Sequence, residues 1–589
     1  MWGIKKKKST LLLVFILLIL TVGRFIIQMK ILPVTYVGGG VDEHVFINQA
    51  INILKGKWFG DYNTITLVKN PMYSFFYVLI NKTGISYPIA LIGLYILSIL
   101  IFLLALYPVI KNKYYLSFTY IFLLYSPVML DKKFGFRLYR DALLSPLVLL
   151  VVASLIGIFL YRNRRYSIFC FWAVLSGFSF FAFSYLREDA IWLKPFFYGA
   201  ILITLLFLIF KKENFRTRLF RILACFVPLL ILYSLTSLLN YKNEQVYGIS
   251  AVNDHTETYF RDVITDLISI DDGTNQEYIW VHEEALREAF EVSPTLKKLE
   301  GQFDSFYIEN STLTTKVESE KQAEIFSGKI VWLMRLAVER AGFGYKSYIN
   351  VDGKKVKGAI ATNDFYKQIH QELSEAFENG SLKKRSGGLA ISASAPAKTI
   401  TDILGNVVPK VIYSTKQTVF YDNYFISEDI RAVSGDSSKV REIEMLINSP
   451  LNYPVSSDQS IYNRPITQMI PRVNFIIALY KATAFSFMLS SLIGLAYFGY
   501  NLIRRDYNEA SYTFFIISLG LIASYFILLI GVSWAYSWVS GDTMNRLYFY
   551  TSGAVPILQI FYVINFYGFL KLIKSLISKY KFRNQKFKE

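Results

Sequence analysis

The sequence predicts an α-helical polytopic membrane protein of about ten transmembrane helices, with an inserted mixed α/β extracytoplasmic domain. Hydrophobic residues make up 53% of the 589 residues, and the mean hydropathy is positive at +0.34. Several apolar runs reach the roughly 20 residues that a helix needs to cross a bilayer. A long polar segment, residues 241–471, interrupts these runs and is too charged to lie in lipid.

The first apolar run, LLLVFILLILTVG, follows the basic start MWGIKKKKST and has the look of a signal peptide. Its apolar character continues past Arg24, however, and no A-x-A-like cleavage site stands out. We therefore expect a retained first helix. The predicted membrane helices are residues 9–34, 86–110, 114–130, 142–161, 167–185, 190–210, 218–240, 472–502, 511–536 and 547–575.

The distribution of charge predicts the orientation of these helices. Basic stretches such as KKKK, KNK, YRNRRY and KKENFRTR fall in alternate loops, and cytoplasmic loops are enriched in Lys and Arg. Both termini are therefore predicted to be cytoplasmic, in the plasma membrane of a bacterium by composition. The large segment has 25 Lys plus Arg against 32 Asp plus Glu, whereas the whole chain has 63 against 44. The basic excess is thus a topology signal, and nucleic-acid binding is not expected.

These features divide the chain into three predicted parts: a transmembrane module of seven helices (1–240), an extracytoplasmic soluble domain (241–471), and three helices with a basic tail (472–589). Within the soluble part, EEALREAF is typical of an amphipathic helix and VIYSTKQTVFYDNYF of a strand. It contains no phosphate-binding loop, HExxH or GxSxG motif. Cys170 and Cys225 lie in apolar runs, so neither a disulfide framework nor a cysteine metal site is expected.

The first predicted outer loop contains VDEHVFINQAINILKGKW, in which two acids and a histidine follow closely on the first helix. The apolar spacing predicts a helix lying in the membrane interface, with Asp42 as its N-cap and Gly56 as its stop. Asp42 either caps this helix only or also faces a substrate with its remaining acceptor capacity. Glu43 is the adjacent candidate. His44 is either an interfacial polar residue or one ligand of a metal.

Three further helix mouths combine acids with arginines. FRLYRDALLSP carries Arg137, Arg140 and Asp141, and the two arginines are close neighbours if this turn is helical. Their guanidinium groups suit phosphate oxygens, but an Arg140–Asp141 ion pair without a ligand is the alternative. The other candidates are Arg187, Glu188 and Asp189 in SYLREDAIW, and Arg546 in SGDTMNRLY. Each of these mouths allows a structural ion pair as well as a binding site.

Acids and guanidinium groups together at one membrane surface suit sugar transfer from a lipid phosphate. The phosphate of such a donor stays at the headgroup level and favours Arg or Lys. The incoming hydroxyl needs a carboxylate base, and a developing oxocarbenium ion favours negative charge nearby. Because ATP is absent outside the cell, a pre-activated lipid donor is a sensible source of energy.

With these motifs the sequence resembles the GT-C superfamily of polyprenyl-phosphate-sugar-dependent glycosyltransferases, which includes protein O-mannosyltransferases and lipid A aminoarabinose transferases. The resemblance covers roughly residues 1–240. It is carried by VDEHVFINQAINILKGKW, by KNPMYSFFYVLINKTGIS, which begins at Lys69, and by FRLYRDALLS.

The resemblance implies specific roles for several residues. Asp42 matches the acid of the first outer loop that acts on the acceptor, with Glu43 beside it and Asp141 at a second acidic position found in some members. A lipid-phosphate site built from basic residues is also implied, and Lys69 is a further candidate for substrate binding. Because some members use a divalent metal, Mg²⁺ or Mn²⁺ at Asp42 and Asp141 is left open.

The predicted function is an inverting glycosyltransferase that moves a sugar from a polyprenyl-phosphate donor to a cell-envelope glycan, teichoic acid or protein. Asp42 is the expected base, and the candidates for the phosphate are Arg137, Arg140, Arg187 and Arg546. One alternative is a polysaccharide polymerase or ligase using pyrophosphate-linked donors, which would depend on the large segment, where His255, His282 and His370 lie. Another is a non-enzymatic flippase of lipid-linked sugars or a glycan-binding scaffold.

Overall fold

A computed structural model describes most of the chain. The described residues are 2–35, 41–274, 276–277, 279–303, 329–349, 355–391, 395–427, 437–452, 460–505 and 508–586. The helices of residues 1–247 are α1 (Trp2–Lys30), α2 (Val41–Leu54), α3 (Met72–Thr83), α4 (Tyr87–Leu106), α5 (Lys113–Leu124), α6 (Pro127–Leu130), α7 (Asp141–Tyr161), α8 (Tyr166–Ser184), a 3₁₀ turn (Ala190–Leu193), α9 (Lys194–Ile209), α10 (Phe215–Ala224) and α11 (Val227–Tyr247).

The remaining elements complete the order along the chain. They are α12 (Asp254–Glu257), α13 (Tyr259–Ser269), α14 (Glu283–Val292), α15 (Pro294–Lys297), α16 (Lys329–Arg340), β1 (Tyr348–Ile349), β2 (Lys355–Val356), α17 (Gly358–Glu378), α18 (Ile400–Asp402), a π-helical turn (Ile403–Val407), α19 (Val408–Phe420), α20 (Ser437–Ile447), α21 (Ser460–Ile503), α22 (Glu509–Ala535), a 3₁₀ turn (Gly541–Arg546), α23 (Leu547–Tyr550) and α24 (Ala554–Lys586).

The described residues include nine helices long and apolar enough to cross a membrane, so the chain is a multi-pass membrane protein. The prediction of ten is wrong at residues 114–130, where the structure has the shorter pieces α5 and α6 instead of one long helix. Pro127 explains the break, because a residue before proline avoids the helical region and Ser126 has an extended ψ of 131°.

Helix α7 forms the centre of the bundle. All of its 21 residues are buried, and its sequence has no charged residue after Asp141. A helix that is apolar on every side is stable only when other helices surround it. Its neighbours are α4, α8, α9 and α24, so the first and last parts of the chain share one core.

Helices α21 and α24 cross at small residues. A Cβ atom on Gly494 would lie 1.8 Å from the Asn565 carbonyl oxygen, and one on Gly568 would lie 2.9 Å from the Gly494 carbonyl oxygen. In lipid the hydrophobic effect does not drive helices together, so their association depends on van der Waals packing. Small residues allow the close approach that this packing needs.

The described part of the large segment is helical, so the prediction of a mixed α/β domain is wrong. Its strands are the two-residue pair β1 and β2, which are antiparallel with Tyr348 opposite Val356. A compact core of α13, α14, α16 and α17 surrounds residues such as Leu267, Leu286 and Leu373. The stretch VIYSTKQTVF, predicted as a strand, belongs to α19. Its buried residues follow helical spacing: Lys410, Ser414, Gln417 and Thr418. The strand was predicted because the stretch is rich in β-branched residues, which are enriched in strands.

Residues 408–427 form a re-entrant segment, since α19 descends between membrane helices and the chain then returns. The Thr418 hydroxyl lies 2.5 Å from the Tyr525 hydroxyl, and Tyr525 is ten residues, or about 15 Å, from the end of α22. The Tyr421 ring packs edge-on against Tyr480 of α21 at 5.8 Å. Phe425 then bonds to the loop after α6, at the end of the bundle. Such irregular backbone is tolerated at membrane depth where protein surrounds it.

The large segment is anchored to the loop before α3 by hydrogen bonds from two of its residues, Arg335 and Asp254, which also form a buried ion pair with each other. The Arg335 guanidinium, fully buried, lies 3.3 Å from the Asp254 carboxylate and donates to the Thr64 carbonyl oxygen at 3.2 Å. The Asp254 amide donates to the Leu67 carbonyl oxygen at 2.8 Å. The segment therefore holds residues 64–70 in place from above.

The crossing of α21 and α24 predicts that Gly494→Ala lowers thermal stability. The added methyl group has no room beside Asn565, and overpacking of this kind costs about 1–3 kcal/mol. Gly531→Ala is the matched control, because the same methyl group on α22 meets nothing within 4 Å. Thermal unfolding of the purified variants in detergent would measure the difference, and equal melting temperatures for the two variants would contradict the close crossing.

Candidate functional site

The first turn of α2 brings Asp42 and Glu43 to one end of the bundle, called the site face, where residues 61–71, 131–140 and 185–189 also lie. The helix begins at Val41, so Asp42 lies inside its first turn and the prediction that it is the N-cap is wrong. Acids in a first turn interact favourably with the helix dipole. The helix ends at Leu54, and Gly56 follows with a φ of +75°, which confirms the predicted stop.

Asp42 lies among two cations and a tyrosine. The Lys69 ammonium is 3.1 Å from its Oδ1, the Tyr139 hydroxyl donates to its Oδ2 at 2.8 Å, and the Arg140 guanidinium is 4.0 Å away. Burial favours the neutral acid, but Lys69, Arg140 and Tyr139 outweigh burial and hold the pKa of Asp42 below its ordinary value. Its side chain keeps 27% of its surface exposed, so this carboxylate is ionised and reachable.

Glu43 points into the protein and pairs with Arg137. Arg137 donates from Nε to Glu43 Oε1 at 2.7 Å, and the Glu43 side chain is only 2% exposed. Arg137 is held in extended backbone, since Leu138 donates to the Val34 carbonyl oxygen at 2.7 Å and Val34 to that of Phe136 at 2.9 Å. The helical turn suggested for Arg137 and Arg140 is therefore wrong, and the two arginines diverge to different partners.

Arg140 pairs with Glu188 across the chain, not with the neighbouring Asp141. Its Nη1 donates to Glu188 Oε2 at 2.5 Å, and the Asn70 amide donates to the other Glu188 oxygen at 3.0 Å. Burial raises the pKa of Glu188, but Arg140 and Lys69 more than compensate and lower it to about 2. The predicted alternative of a local Arg140–Asp141 ion pair is thus wrong.

Asp141 and Asp189 both bind Arg187. Arg187 donates from Nη1 to Asp141 and forms a two-pronged contact with Asp189, from Nε at 2.8 Å and Nη2 at 2.7 Å. The Asp141 side chain is fully buried, whereas that of Asp189 is 43% exposed. Asp141 therefore holds Arg187 in place from the buried side.

The Tyr139 ring joins the two arginines at this site. The Arg137 guanidinium carbon lies 4.7 Å from the ring centre and that of Arg140 lies 5.7 Å from it, while the hydroxyl binds Asp42. Cations over an aromatic face are attracted by its negative electron density. The sequence analysis missed Tyr139, although its position between two candidate arginines in RLYRD was a usable signal.

A cluster of cations lies beside this tyrosine. The Lys133 ammonium is 5.0 Å from the Tyr548 ring centre and 5.8 Å from that of Phe549, and the Arg137 guanidinium is 6.0 Å from the Phe549 ring. Burial, Lys132, Arg137 and Arg546 lower the pKa of Lys133, against the opposing effect of Asp131. Lys133, Arg137 and Arg546 are called the cation cluster below. Sequence analysis missed Lys133, whose LDKKFG motif resembles any basic loop.

Two polar residues of α1 hold the loop that carries Lys133. Arg24 donates to the Met129 carbonyl oxygen at 2.8 Å, and Gln28 donates to that of Gly135 at 2.8 Å. A Cβ atom on Gly135 would lie 2.2 Å from the Met129 carbonyl oxygen, so this tight loop needs glycine. Arg24 is fully buried in a membrane helix, which is a costly position for a charge. Its hydrogen bonds to the Gln28 side chain and to the Met129 carbonyl oxygen offset part of this cost.

The two histidines of interest have different surroundings. The His44 ring lies 2.8 Å from the Asn48 amide, one turn along α2, and near Lys439, so the structure gives it other neighbours than the acids. His255 of the large segment lies nearer the site. Burial and the cations Arg335 and Lys69 lower its pKa to about 3, so it is neutral at physiological pH.

The residues left open for a divalent metal do not fit one in this arrangement. The Asp42 carboxylate already faces the Lys69 ammonium and Arg140, and one Asp141 oxygen is bound by Arg187. A dication between them would add charge to a site already rich in cations. Among the described residues, no three His, Cys, Asp or Glu side chains are grouped as metal ligands.

Comparisons with known proteins complete the description of the site. No family model and no curated protein matches the chain. Among solved structures, the chain is similar to the crystal structure of ArnT from Cupriavidus metallidurans in the apo state, at 13% sequence identity and a TM-score of 0.31, over 94% of this chain and 78% of that chain.

The buried pairing of Arg187 predicts that Asp141→Asn destabilises the protein strongly. The substitution keeps the side-chain shape but leaves a buried guanidinium without its inner carboxylate, which costs about 3 kcal/mol. Asp189→Asn removes the exposed partner of the same arginine and is expected to cost less than about 1 kcal/mol. Thermal unfolding of both variants in the same detergent tests this, and an equal loss for both would show that burial does not separate the two acids.

Proposed function

We propose that this protein is a membrane glycosyltransferase that moves a sugar from a polyprenyl-phosphate-linked donor to a hydroxyl group of a cell-envelope glycan, teichoic acid or protein. The observation that carries the proposal is an exposed, ionised carboxylate, Asp42, next to the cation cluster, with Tyr139 between them. A base for an acceptor and a site for a phosphate are thus adjacent, as sugar transfer from a lipid phosphate requires.

Asp42 acts on the acceptor in this proposal. The acceptor oxygen bonds to the anomeric carbon of the donor sugar, and its proton passes to the Asp42 carboxylate. The bond from the anomeric carbon to the phosphate oxygen breaks, and its electron pair leaves with the phosphate. Lys69, Tyr139 and Arg140 keep Asp42 ionised and oriented. Glu43 and Asp141, also expected to be catalytic, serve as positioning residues, because each is buried against an arginine.

The cation cluster binds the donor phosphate in this proposal. Lys133, Arg137 and Arg546 come from two separate loops, and the rings of Tyr548 and Phe549 lie against them. These aromatic rings limit water around the ammonium and guanidinium groups, which strengthens their attraction for a phosphate. Arg137 also has an acid partner, Glu43, but 18% of its side chain is exposed. Arg140 and Arg187, which were also candidates for the phosphate, are each only 9% exposed and are better explained as partners of Glu188, Asp141 and Asp189.

We propose an inverting reaction, since the site offers one reachable carboxylate, Asp42, as base and a separate group of cations for the leaving phosphate. We propose that the protein lies in the plasma membrane of a bacterium, with the site face on the outer side and both termini on the cytoplasmic side. The basic stretches at residues 111–113, 162–165 and 211–212 lie at the opposite ends of the helices, which supports this orientation.

Replacement of Asp42 by Asn is expected to lower transfer at least 100-fold, because general-base catalysis contributes about that much or more. The assay uses purified protein, a panel of radiolabelled polyprenyl-phosphate hexoses and envelope fractions as acceptors. Asp61→Asn is the control, since Asp61 is an exposed acid in the next loop of the same face. Near-normal transfer by the Asp42 variant would refute its role. Transfer only from oligosaccharide-pyrophosphate donors would favour a polymerase or ligase instead.

Replacement of Lys133 by Met is expected to lower kcat/KM for the donor by about tenfold, or about 1.4 kcal/mol, because one phosphate contact is lost. The KM for the acceptor should not change. Lys132→Met is a matched control, because Lys132 bonds to Ser427 and lies over Phe425, away from Tyr548. Steady-state kinetics with each substrate varied separately would measure this, and a rise confined to the acceptor KM would reject the phosphate assignment.

A further inference from the structure

A polar cavity of about 220 Å³ lies in the large segment, and residues 396 and 398 of its wall bond to the end of α22 and the turn after it. Its walls come from three separate stretches of the chain, residues 276–277, 385–387 and 396–406. Its volume corresponds to roughly seven water molecules at about 30 Å³ each, close to the room that one sugar residue with its hydroxyl groups needs.

The cavity is built by buried polar contacts. Lys398, which is buried, donates to the Ser537 hydroxyl at 2.7 Å, and the Trp534 indole donates to the Pro396 carbonyl oxygen at 3.1 Å. Leu389 and Lys398 exchange two backbone hydrogen bonds of 2.8 Å. One wall is thus fixed to the end of a membrane helix.

Gln276 points to a ligand. It is 9% exposed, and its Nε2 donates to the carbonyl oxygens of Ile268 and Trp280, each at 2.7 Å. Its Oε1 is buried and, among the described residues, has no hydrogen-bond partner, and the same is true of Arg385 Nε. Buried acceptors and donors are normally satisfied, so a ligand offering both kinds of group would complete this wall once the two side chains turn toward the cavity.

The charges of the cavity favour a neutral ligand. Arg385 and Lys398 are balanced by Glu277 and Asp402. Neither an anionic polymer nor a cationic peptide gains from such a balanced wall. Neighbouring hydroxyl groups of a sugar, in contrast, each donate and accept.

The position of the cavity connects it to the acid site. Ser537, which Lys398 contacts, follows Tyr536, whose ring stacks on Tyr550 at 4.1 Å. Tyr536 is an electrostatic neighbour of Arg187 and Asp189. The wall of the cavity is thus linked, through Ser537 and Tyr536, to the helix end that faces Arg187 and Asp189.

We propose that this cavity binds an uncharged sugar residue of the acceptor, away from its reacting end. Identifying the bound sugar as part of the acceptor rests on the proposed function. Binding of the sugar itself does not require transfer. It also selects a neutral glycan over teichoic acid and over protein as the preferred acceptor.

The test is calorimetric binding of maltotriose and chitotriose to the full-length protein in detergent. We expect saturable binding of at least one trisaccharide, weakened at least tenfold in Gln276→Met and in Asn406→Leu. Gln371→Met, on the exposed side of α17, should bind as the wild type does. The Asn406 variant guards against misfolding, because its side chain makes none of the backbone contacts that Gln276 makes.

Three results would overturn the inference: no binding of either trisaccharide, binding unchanged in both cavity variants, or binding of a glycerol phosphate oligomer in preference to both sugars. The Asp42→Asn variant, which should bind the trisaccharide without transferring a sugar, separates this inference from the proposed function. If the wild type binds the trisaccharide but transfers no sugar, only the transferase is refuted. Transfer without trisaccharide binding would refute only the cavity.

Discussion

Two buried guanidinium groups, those of Arg140 and Arg187, determine how the site face is assembled. Each is about 7% exposed, and a charge so far from water is stable only when carboxylates compensate it. Arg140 and Asp141 lie at the start of α7, whereas Arg187, Glu188 and Asp189 follow α8. The pairs Arg140–Glu188 and Arg187–Asp141 therefore join segments that two membrane helices separate in sequence, and Asp189 adds a local partner for Arg187. The mouths of α7, α8 and the 3₁₀ turn before α9 are therefore held together by electrostatics as much as by packing.

The same compensation leaves one acid in a different state. Glu43 and Asp141 are buried against an arginine, and Glu188, 22% exposed, binds Arg140 at 2.5 Å. Asp42, 27% exposed, is instead approached by Lys69 at 3.1 Å and by Tyr139, with Arg140 4.0 Å away. Further positive charge lies beside Tyr139, where Arg137 stacks on the ring and Lys133 and Arg546 are electrostatic neighbours. The division into an acidic part and a basic part follows from which pairs are buried.

Much of the fold could be predicted from composition because lipid imposes a simple length and charge rule. The spans, the basic loops and the concentration of acids at helix mouths all follow from that rule. Pairing could not be predicted, because Arg140 has Asp141 beside it in sequence and yet binds Glu188, 48 residues away. Residue type also misled at α19, where β-branched residues pack as a helix among other helices. Tyr139 and Lys133 acquire their roles only from the loop that Arg24 and Gln28 hold.

The re-entrant segment has a consequence for how the protein is made. Residues 408–427 contact Tyr480, Tyr525 and the loop at Asp131, and two of these partners are synthesised later than the segment itself. On the ribosome, α19 emerges before α21, α22 and α24 exist, so its buried Gln417 and Ser414 have no bundle to enter. The large segment must therefore wait, partly folded, until the last membrane helices have been inserted. Docking of the re-entrant segment, with its Asp131–Phe425 hydrogen bond of 3.0 Å, is therefore expected to follow insertion of the last membrane helices.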